Sequence, residues 1–304
     1  MFGWFRRRKI RRQFAARFAE ASQHADSGYN IRTISKKTGG NRTSEAPVDS
    51  LKMLQRQVLR TYLSGFTPAW VAHGFIKRRS PTTAARPHAH ARVLVVVDIL
   101  NFFPSVTVEM LRERLPTLHP DLEKDPALCE LILSICTLEG RLPQGAPTSP
   151  ALSNIIFKPL DEQLRRLAVR NGARYTRYAD DCFFSSRYNQ ALPSIIHPVT
   201  HLLAEAGFTV NRRKTRVLRG GARMVVAGVV INNGVSIGRK RLRSLRAALH
   251  NFEQRLSQGD QYQAEKKWQH LRGLVAYYQS INPHQVRPYL RQLRQLAQEH
   301  RLQV

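Results

Sequence analysis

Residues 175–186 read YTRYADDCFFSS, and no other stretch restricts the fold as much. Tyr175, Thr176, Tyr178, Phe183 and Phe184 favour a pleated, half-buried surface. Two adjacent carboxylates do not: they repel each other, and burying them unpaired costs several kcal/mol each. A tight turn at Ala179-Asp180-Asp181 reconciles the two demands, with a strand on either side and the acids at a hairpin tip. Solvated acids on a surface turn satisfy this pattern. So does a hard-oxygen site for a divalent cation such as Mg²⁺.

A second stretch bears on that choice. Residues 93–98, VLVVVD, form a near-continuous β-branched run that ends in an acid, which reads as a central strand. Beside the hairpin, this strand adds Asp98 to Asp180 and Asp181. Two Mg²⁺ held by such a set can activate an attacking 3′-hydroxyl and stabilise a leaving pyrophosphate. Residues 28–47 read as two short strands around a Gly-Gly turn, and LPQGAPTSP at 142–150 as a loop. Helical patterns cover 48–64, 107–116, 126–137, 151–170 and 191–206. Strands at 224–231 and 234–237 are predicted to join through Asn233-Gly234, and a basic helical tail runs from 239. Strands, hairpins and helices interleave, which predicts an α+β fold rather than a doubly wound parallel sheet.

Charge narrows the partner. Among 304 residues there are 49 Lys and Arg against 21 Asp and Glu, a net +28. The excess is uneven: no acid lies between Asp49 and Asp98, and from residue 206 onward 19 basic residues face 4 acidic ones. Such a field points to a polyanion, most simply nucleic acid. No window approaches 18 uninterrupted apolar residues, so no transmembrane helix is expected. Cys129, Cys136 and Cys182 are odd in number and lack CxxC spacing, which fits a reducing compartment without a zinc site or disulfide framework. The N-terminus, MFGWFRRRKIRRQFAARF, sets Ile10, Phe14 and Phe18 on one helical face, to pack on the body and offer arginines to phosphates. His88-Ala89-His90 has no further Cys/His cluster to make it a metal site.

Taken in order, VVVDILNFFPSV, LPQGAPTSPALSN, RYADDCFFSS and GFTVNRRKTRV resemble successive motifs of reverse transcriptases, the bacterial retron-type group most of all. Upstream, IRTISKKTGGNRTSEAP followed by LKMLQRQVL is similar to that group's fingers motif. The ordered set covers about residues 28–290 and is far more specific than YADD alone. The resemblance implies a right-hand polymerase: an N-terminal helix and fingers over 1–97, a palm with part of the fingers and the primer grip over 98–238, and a helical thumb over 239–304. The implied activity is RNA-directed DNA polymerisation by two-metal nucleotidyl transfer with two Mg²⁺.

Carried over position by position, the resemblance makes Asp98, Asp180 and Asp181 catalytic metal ligands and adds Ile99 to the metal set. Phe103 falls where such enzymes place an aromatic gate under the incoming sugar, excluding a 2′-hydroxyl. Gln144 lies against the incoming nucleotide and template. Lys36, Lys37 and Arg42 match fingers positions that neutralise the triphosphate, and Lys214 matches a residue proposed to protonate pyrophosphate. Residues 224–237, including Gly228, match the primer-gripping hairpin. Arg239, Lys240, Arg241 and Arg243 open the thumb and are expected to meet the RNA-containing duplex.

Implied partners are an RNA template and nascent DNA, a dedicated structured noncoding RNA and an effector protein, in the bacterial cytoplasm, off the membrane and in anti-phage defence. Two signatures depart from the retron pattern: Ala84-Ala85-Arg86-Pro87-His88 lacks the asparagine of Asn-Ala-x-x-His, and Val226-Ala227-Gly228 replaces Val-Thr-Gly. A defence-associated, CRISPR-associated or intron-like bacterial enzyme therefore stays open, as does a catalytically weak RNA-binding scaffold. A two-metal nuclease would need the carboxylates but has no use for a gate aromatic, a PQG loop or a primer grip.

Overall fold

The computed structural model describes residues 12–17, 28–35, 41–258 and 261–300, with only the backbone for 261–266. Strands β1 (Tyr29–Ser35) and β2 (Asn41–Pro47) pair antiparallel, Tyr29 opposite Pro47 and Ser35 opposite Asn41. Helix α1 (Asp49–Val58) follows and buries Leu51, Leu54 and Val58, one face at helical spacing, before a π-helical turn over Leu59–Leu63. Residues 12–17 are helical and bury Phe14 in the same core. Ile10 and Phe18 lie outside the described residues.

Strand β3 (Val93–Asp98) is followed by α2 (Val108–Arg114), α3 (Pro126–Cys136) and the 22-residue α4 (Ser149–Arg170). Strands β4 (Arg174–Tyr178) and β5 (Asp181–Ser186), helix α5 (Ile196–Glu205) and strand β6 (Arg216–Arg219) complete a four-stranded sheet of order β4-β5-β3-β6. All its ladders are antiparallel. An antiparallel sheet commonly leaves one face to water. Here both faces are covered, which is why β3 is apolar at every position but the last. Val93, Val95 and Val97 enter the larger core with Tyr175, Cys182 and Phe184. Leu94 and Val96 enter a second core with Phe183 and the C-terminal helices.

Beyond β6, the chain reverses at Asn233-Gly234 as expected, but over one antiparallel bridge, Val230 and Ser236 exchanging hydrogen bonds at 3.0 and 2.9 Å. The segment read as one strand over 224–231 is itself a tighter hairpin: strands β7 (Val225–Val226) and β8 (Val229–Val230) pair around Ala227 and Gly228, whose φ angles are 46° and 82°. A two-residue hairpin turn of the type that follows strand twist demands positive φ at both central residues. The Asn232 side chain accepts from Met224 N at 2.9 Å and donates to the Ala222 carbonyl at 2.7 Å, so this asparagine closes a wider loop. Residues 234–237 contribute a single bridge, Ser236 to Val230. Helices α6 (Arg239–Ser257), α7 (Gln261–Ile281) and α8 (Pro283–Glu299) end the chain, packing Leu245, Leu249, Phe252, Trp268 and Val286 beneath the sheet. Among the described residues no helix is long and apolar enough to cross a membrane.

Candidate active site

Register brings the acids together. Asp98 is the Cα partner of Asp181, and the two-residue period of strands puts both on the face that carries Val96 and Phe183. Ile99 donates its N–H to the Asp180 carbonyl at 3.0 Å, tying the hairpin tip to the end of β3. The turn between the strands has Ala179 at φ 55°. Like charges directly opposite each other on a sheet are destabilising, so the fold carries this pairing at a cost.

The electrostatics express that cost. Burial, followed by the charges of Asp180 and Asp98, pushes the Asp181 carboxyl up to about 7. Lys214 Nζ stands 3.0 Å from Asp98 Oδ2, and that hydrogen bond raises the lysine pKa. Asp98 Oδ1 is buried without a hydrogen-bond partner. An orphaned buried carboxylate oxygen, on a residue paired in register with a second aspartate, is the donor chemistry of a hard divalent cation, so these residues fit such an ion. Among the described residues, however, no three His, Cys, Asp or Glu side chains stand at metal-holding spacing.

Asp98, Ile99 and Asp180 line a cleft of about 640 Å³ together with Arg42, Phe103, Gln144 and Lys214, a volume typical of small-ligand sites. Lys36 and Lys37 lie outside the described residues. Gly228, Arg239, Lys240, Arg241 and Arg243 are elsewhere. Arg239 and Lys240 border a separate cavity of about 570 Å³, and Arg243 is exposed. Arg241 donates to the Gly228 carbonyl, tying α6 to the β7–β8 turn.

Several supporting groups are not visible in the sequence patterns. Glu45 on β2 is buried and takes both Arg141 nitrogens, at 2.8 and 3.1 Å, while the Gln144 N–H donates to it at 2.8 Å. Burial opposes the charge on Glu45, but these hydrogen bonds hold its pKa below the usual value. The Glu45 N–H donates to the Gln144 carbonyl at 2.8 Å. A Cβ at residue 145 would lie 2.7 Å from the Glu45 carbonyl oxygen, so only glycine lets the loop lie this close. A lone acid in the basic 28–47 segment is the one signal the sequence carries for this group.

Below the hairpin, fully buried Arg177 donates to Asp161 Oδ1 and Oδ2 at 2.9 and 2.7 Å, to Asn154 Oδ1 at 2.9 Å and to the Ala179 carbonyl at 3.1 Å. Tyr175 adds a third bond to Asp161, at 2.9 Å. Burial opposes the arginine's charge, yet Asp161 raises its pKa. The turn that bears Asp180 is thus anchored to α4 by a satisfied polar network. His88 is buried as well, with Ser185 Oγ at 2.7 Å and Thr176 Oγ1 at 2.8 Å on its two ring nitrogens. Burial pushes its pKa down to about 3, so it stays neutral.

Comparison with known proteins places this geometry in a family. The reverse transcriptase (RNA-dependent DNA polymerase) family matches residues 31–269. The chain is 39% identical over 266 residues to the Retron Mx65 reverse transcriptase of Myxococcus xanthus, covering 83% of this chain and 61% of that protein. It is 32% identical over 231 residues to the Retron Ec86 reverse transcriptase of Escherichia coli, covering 75% and 71%. The chain spans about three fifths of the length of its Myxococcus relatives, 61% of one and 60% of another. A telomerase from Candida albicans, solved with a TWJ fragment of telomeric RNA, shares the fold over 90% of this chain and 63% of its own, with a TM-score of 0.51 and 11% identity. Sequence motifs, an antiparallel sheet bearing facing aspartates and these matches agree: the chain belongs to the reverse transcriptase family, in its bacterial retron-type group.

Proposed function

We propose that the protein is an RNA-directed DNA polymerase that copies an RNA template into DNA in the cleft above Asp98 and Asp180. The observation that carries this reading is the buried, partnerless Asp98 Oδ1 on the residue opposite Asp181, in a cleft that also holds three aromatic rings, a glutamine and three cations. Asp98, Asp180 and Asp181, with the backbone of Ile99, would hold two Mg²⁺. When bound, the ions lower the pKa of the primer 3′-hydroxyl and neutralise charge on the leaving pyrophosphate. Arg42, with Lys37 nearby in sequence, offers positive charge to the triphosphate. Lys214 keeps its proton through Asp98 and reaches pyrophosphate as a donor. Phe103 sits under the sugar and Gln144 against the base pair being formed. In this reading residues 1–97 act as fingers, 98–238 as palm and 239–304 as thumb.

The purified protein, given a primed RNA, dNTPs and Mg²⁺, should extend the primer into a DNA copy, and chelation should stop it. Release of nucleotides from a preformed duplex without extension would replace the polymerase by a nuclease. A dedicated structured noncoding RNA, an effector protein and anti-phage defence in the bacterial cytoplasm belong to the same proposal. They rest on the likeness of the motif set to retron-type enzymes, and sequencing the nucleic acid that co-purifies with the protein tests them first.

Two further outcomes follow from the geometry. Glu45→Ala removes both Glu45 bonds of Arg141, which keeps Glu139, and the acceptor of the Gln144 N–H, so steady-state extension should show the dNTP KM raised roughly tenfold, the equivalent of about 1.4 kcal/mol of binding. An unchanged KM would mean that the loop holds Gln144 without Glu45. On the thumb, Arg239, Lys240 and Arg243 are exposed on one end of α6, whereas Arg241 is tied to Gly228. A-form duplexes are gripped through phosphates and 2′-hydroxyls. Replacing these three residues by Gln should therefore shorten cDNA products and flatten the salt dependence of duplex binding by a slope of up to roughly three. Wild-type slope and product length would remove this surface from the duplex path.

A further inference from the structure

Phe75 has an unusual placement for an aromatic side chain. Its φ is 62°, in the left-handed region, and 55% of its surface is exposed. A bulky residue is strained there, and so exposed a ring gains little from burial. Glycine would suit the backbone better. What the ring does touch is Phe103, at 5.8 Å between centroids and 45° between planes, and it lines the same cleft as Asp98 and Asp180.

The segment that carries Phe75 is held firmly. His73 N–H donates to the Arg177 carbonyl at 2.8 Å, and Arg177 N–H to the Val71 carbonyl at 2.9 Å. Asn154 Nδ2 donates to the Gly74 carbonyl at 3.1 Å. A Cβ on residue 74 would stand 2.5 Å from Ala179 N, so this backbone is pressed onto the turn that bears Asp180. Phe75 is thereby fixed between the aspartate turn and Phe103. A strained, exposed, rigidly mounted ring beside a substrate cleft marks a functional constraint rather than a packing one.

We propose that Phe75 is a positioning residue for sugar selection: its ring braces Phe103, and the two together form the wall against which the ribose of the incoming nucleotide is tested. The proposal rests on reading Phe103 as the sugar gate. Without the brace, the Phe103 ring swings toward the space of Phe75 and the pocket admits a 2′-hydroxyl.

The test compares kcat/KM for dNTP with that for rNTP in primer extension by wild type, Phe103→Ala, Phe75→Ala, Phe75→Gly, Phe75→Tyr and the Phe75→Ala/Phe103→Ala double variant, alongside thermal unfolding. Phe75→Ala and Phe75→Gly should each lower the dNTP preference roughly tenfold, through rNTP acceptance. Phe75→Tyr should retain it. The double variant should be no more permissive than Phe103→Ala alone, because one residue acts through the other. Phe75→Gly should melt at or above the wild-type temperature, since it relieves the backbone. If Phe103→Ala loses discrimination while both Phe75 variants keep it, or if the losses add, the brace is wrong and the gate stands. If neither residue affects discrimination while extension persists, the gate reading itself fails. A lowered melting temperature with unchanged preference gives Phe75 a packing role and overturns the proposal.

Discussion

Asp181→Asn should abolish dNTP incorporation, a loss of roughly a thousandfold or more, while leaving the protein at least as stable. The two halves of this result have separate causes. Asp181 faces Asp98 across the β3–β5 ladder and lies next to Asp180, so removing its charge removes repulsion from the folded state. Like charges directly opposite on a sheet destabilise it, so the unfolding midpoint should rise or stay level. In the proposed two-metal reading Asp181 helps hold the ions, and losing such a ligand costs several kcal/mol, each 1.4 kcal/mol or so being tenfold in rate. Single-turnover primer extension and thermal unfolding of the same preparation measure both. Wild-type extension would remove Asp181 from the chemistry, and a protein that loses stability together with activity would make it a packing residue.

The second large effect lies beneath the turn. Arg177→Met should destabilise the fold by about 3–5 kcal/mol, because it leaves Asp161 buried and charged without its partner. Adding Asp161→Leu should recover much of that stability, since an apolar pair of similar volume replaces a buried ion pair with little loss. Extension should not recover with it. Arg177 also donates to the Ala179 carbonyl and to Asn154, which holds Gly74, and apolar side chains cannot restore those bonds. Denaturant midpoints for the two single variants and the double, set beside their extension rates, separate the roles. A double variant with full activity would confine the network to stability.

Much of the fold is legible in the sequence, wherever a local period decides it. The β1–β2 strands follow from the Gly-Gly turn between them, and the helices at 108–114, 126–136 and 149–170 and the strands around Asp180 from the spacing of apolar residues within each segment. Expectation and fold part within 224–231, which reads as one strand. Asn233-Gly234 reverses the chain as its residues suggest, yet the segment before it folds into a second hairpin at Ala227-Gly228, with Val226, Val229 and Ile231 buried in the core of the C-terminal helices. Burial of the flanking residues, a tertiary matter, accompanies that extra turn.

The site divides along the same line. Adjacent aspartates amid strand formers require a hairpin tip, and an acid closing an apolar strand requires a ligand or a counter-charge; both demands are local and so are written in the chain. That Asp98 meets Asp181, that Glu45 reaches Arg141, and that Phe75 is wedged between the turn and Phe103 are matters of register between distant segments. A slip of one residue in the β3–β5 ladder would turn Asp98 to the opposite face. What holds the register is the fit of alternate side chains into two different cores, and that fit exists only once the helices have closed over both faces of the sheet.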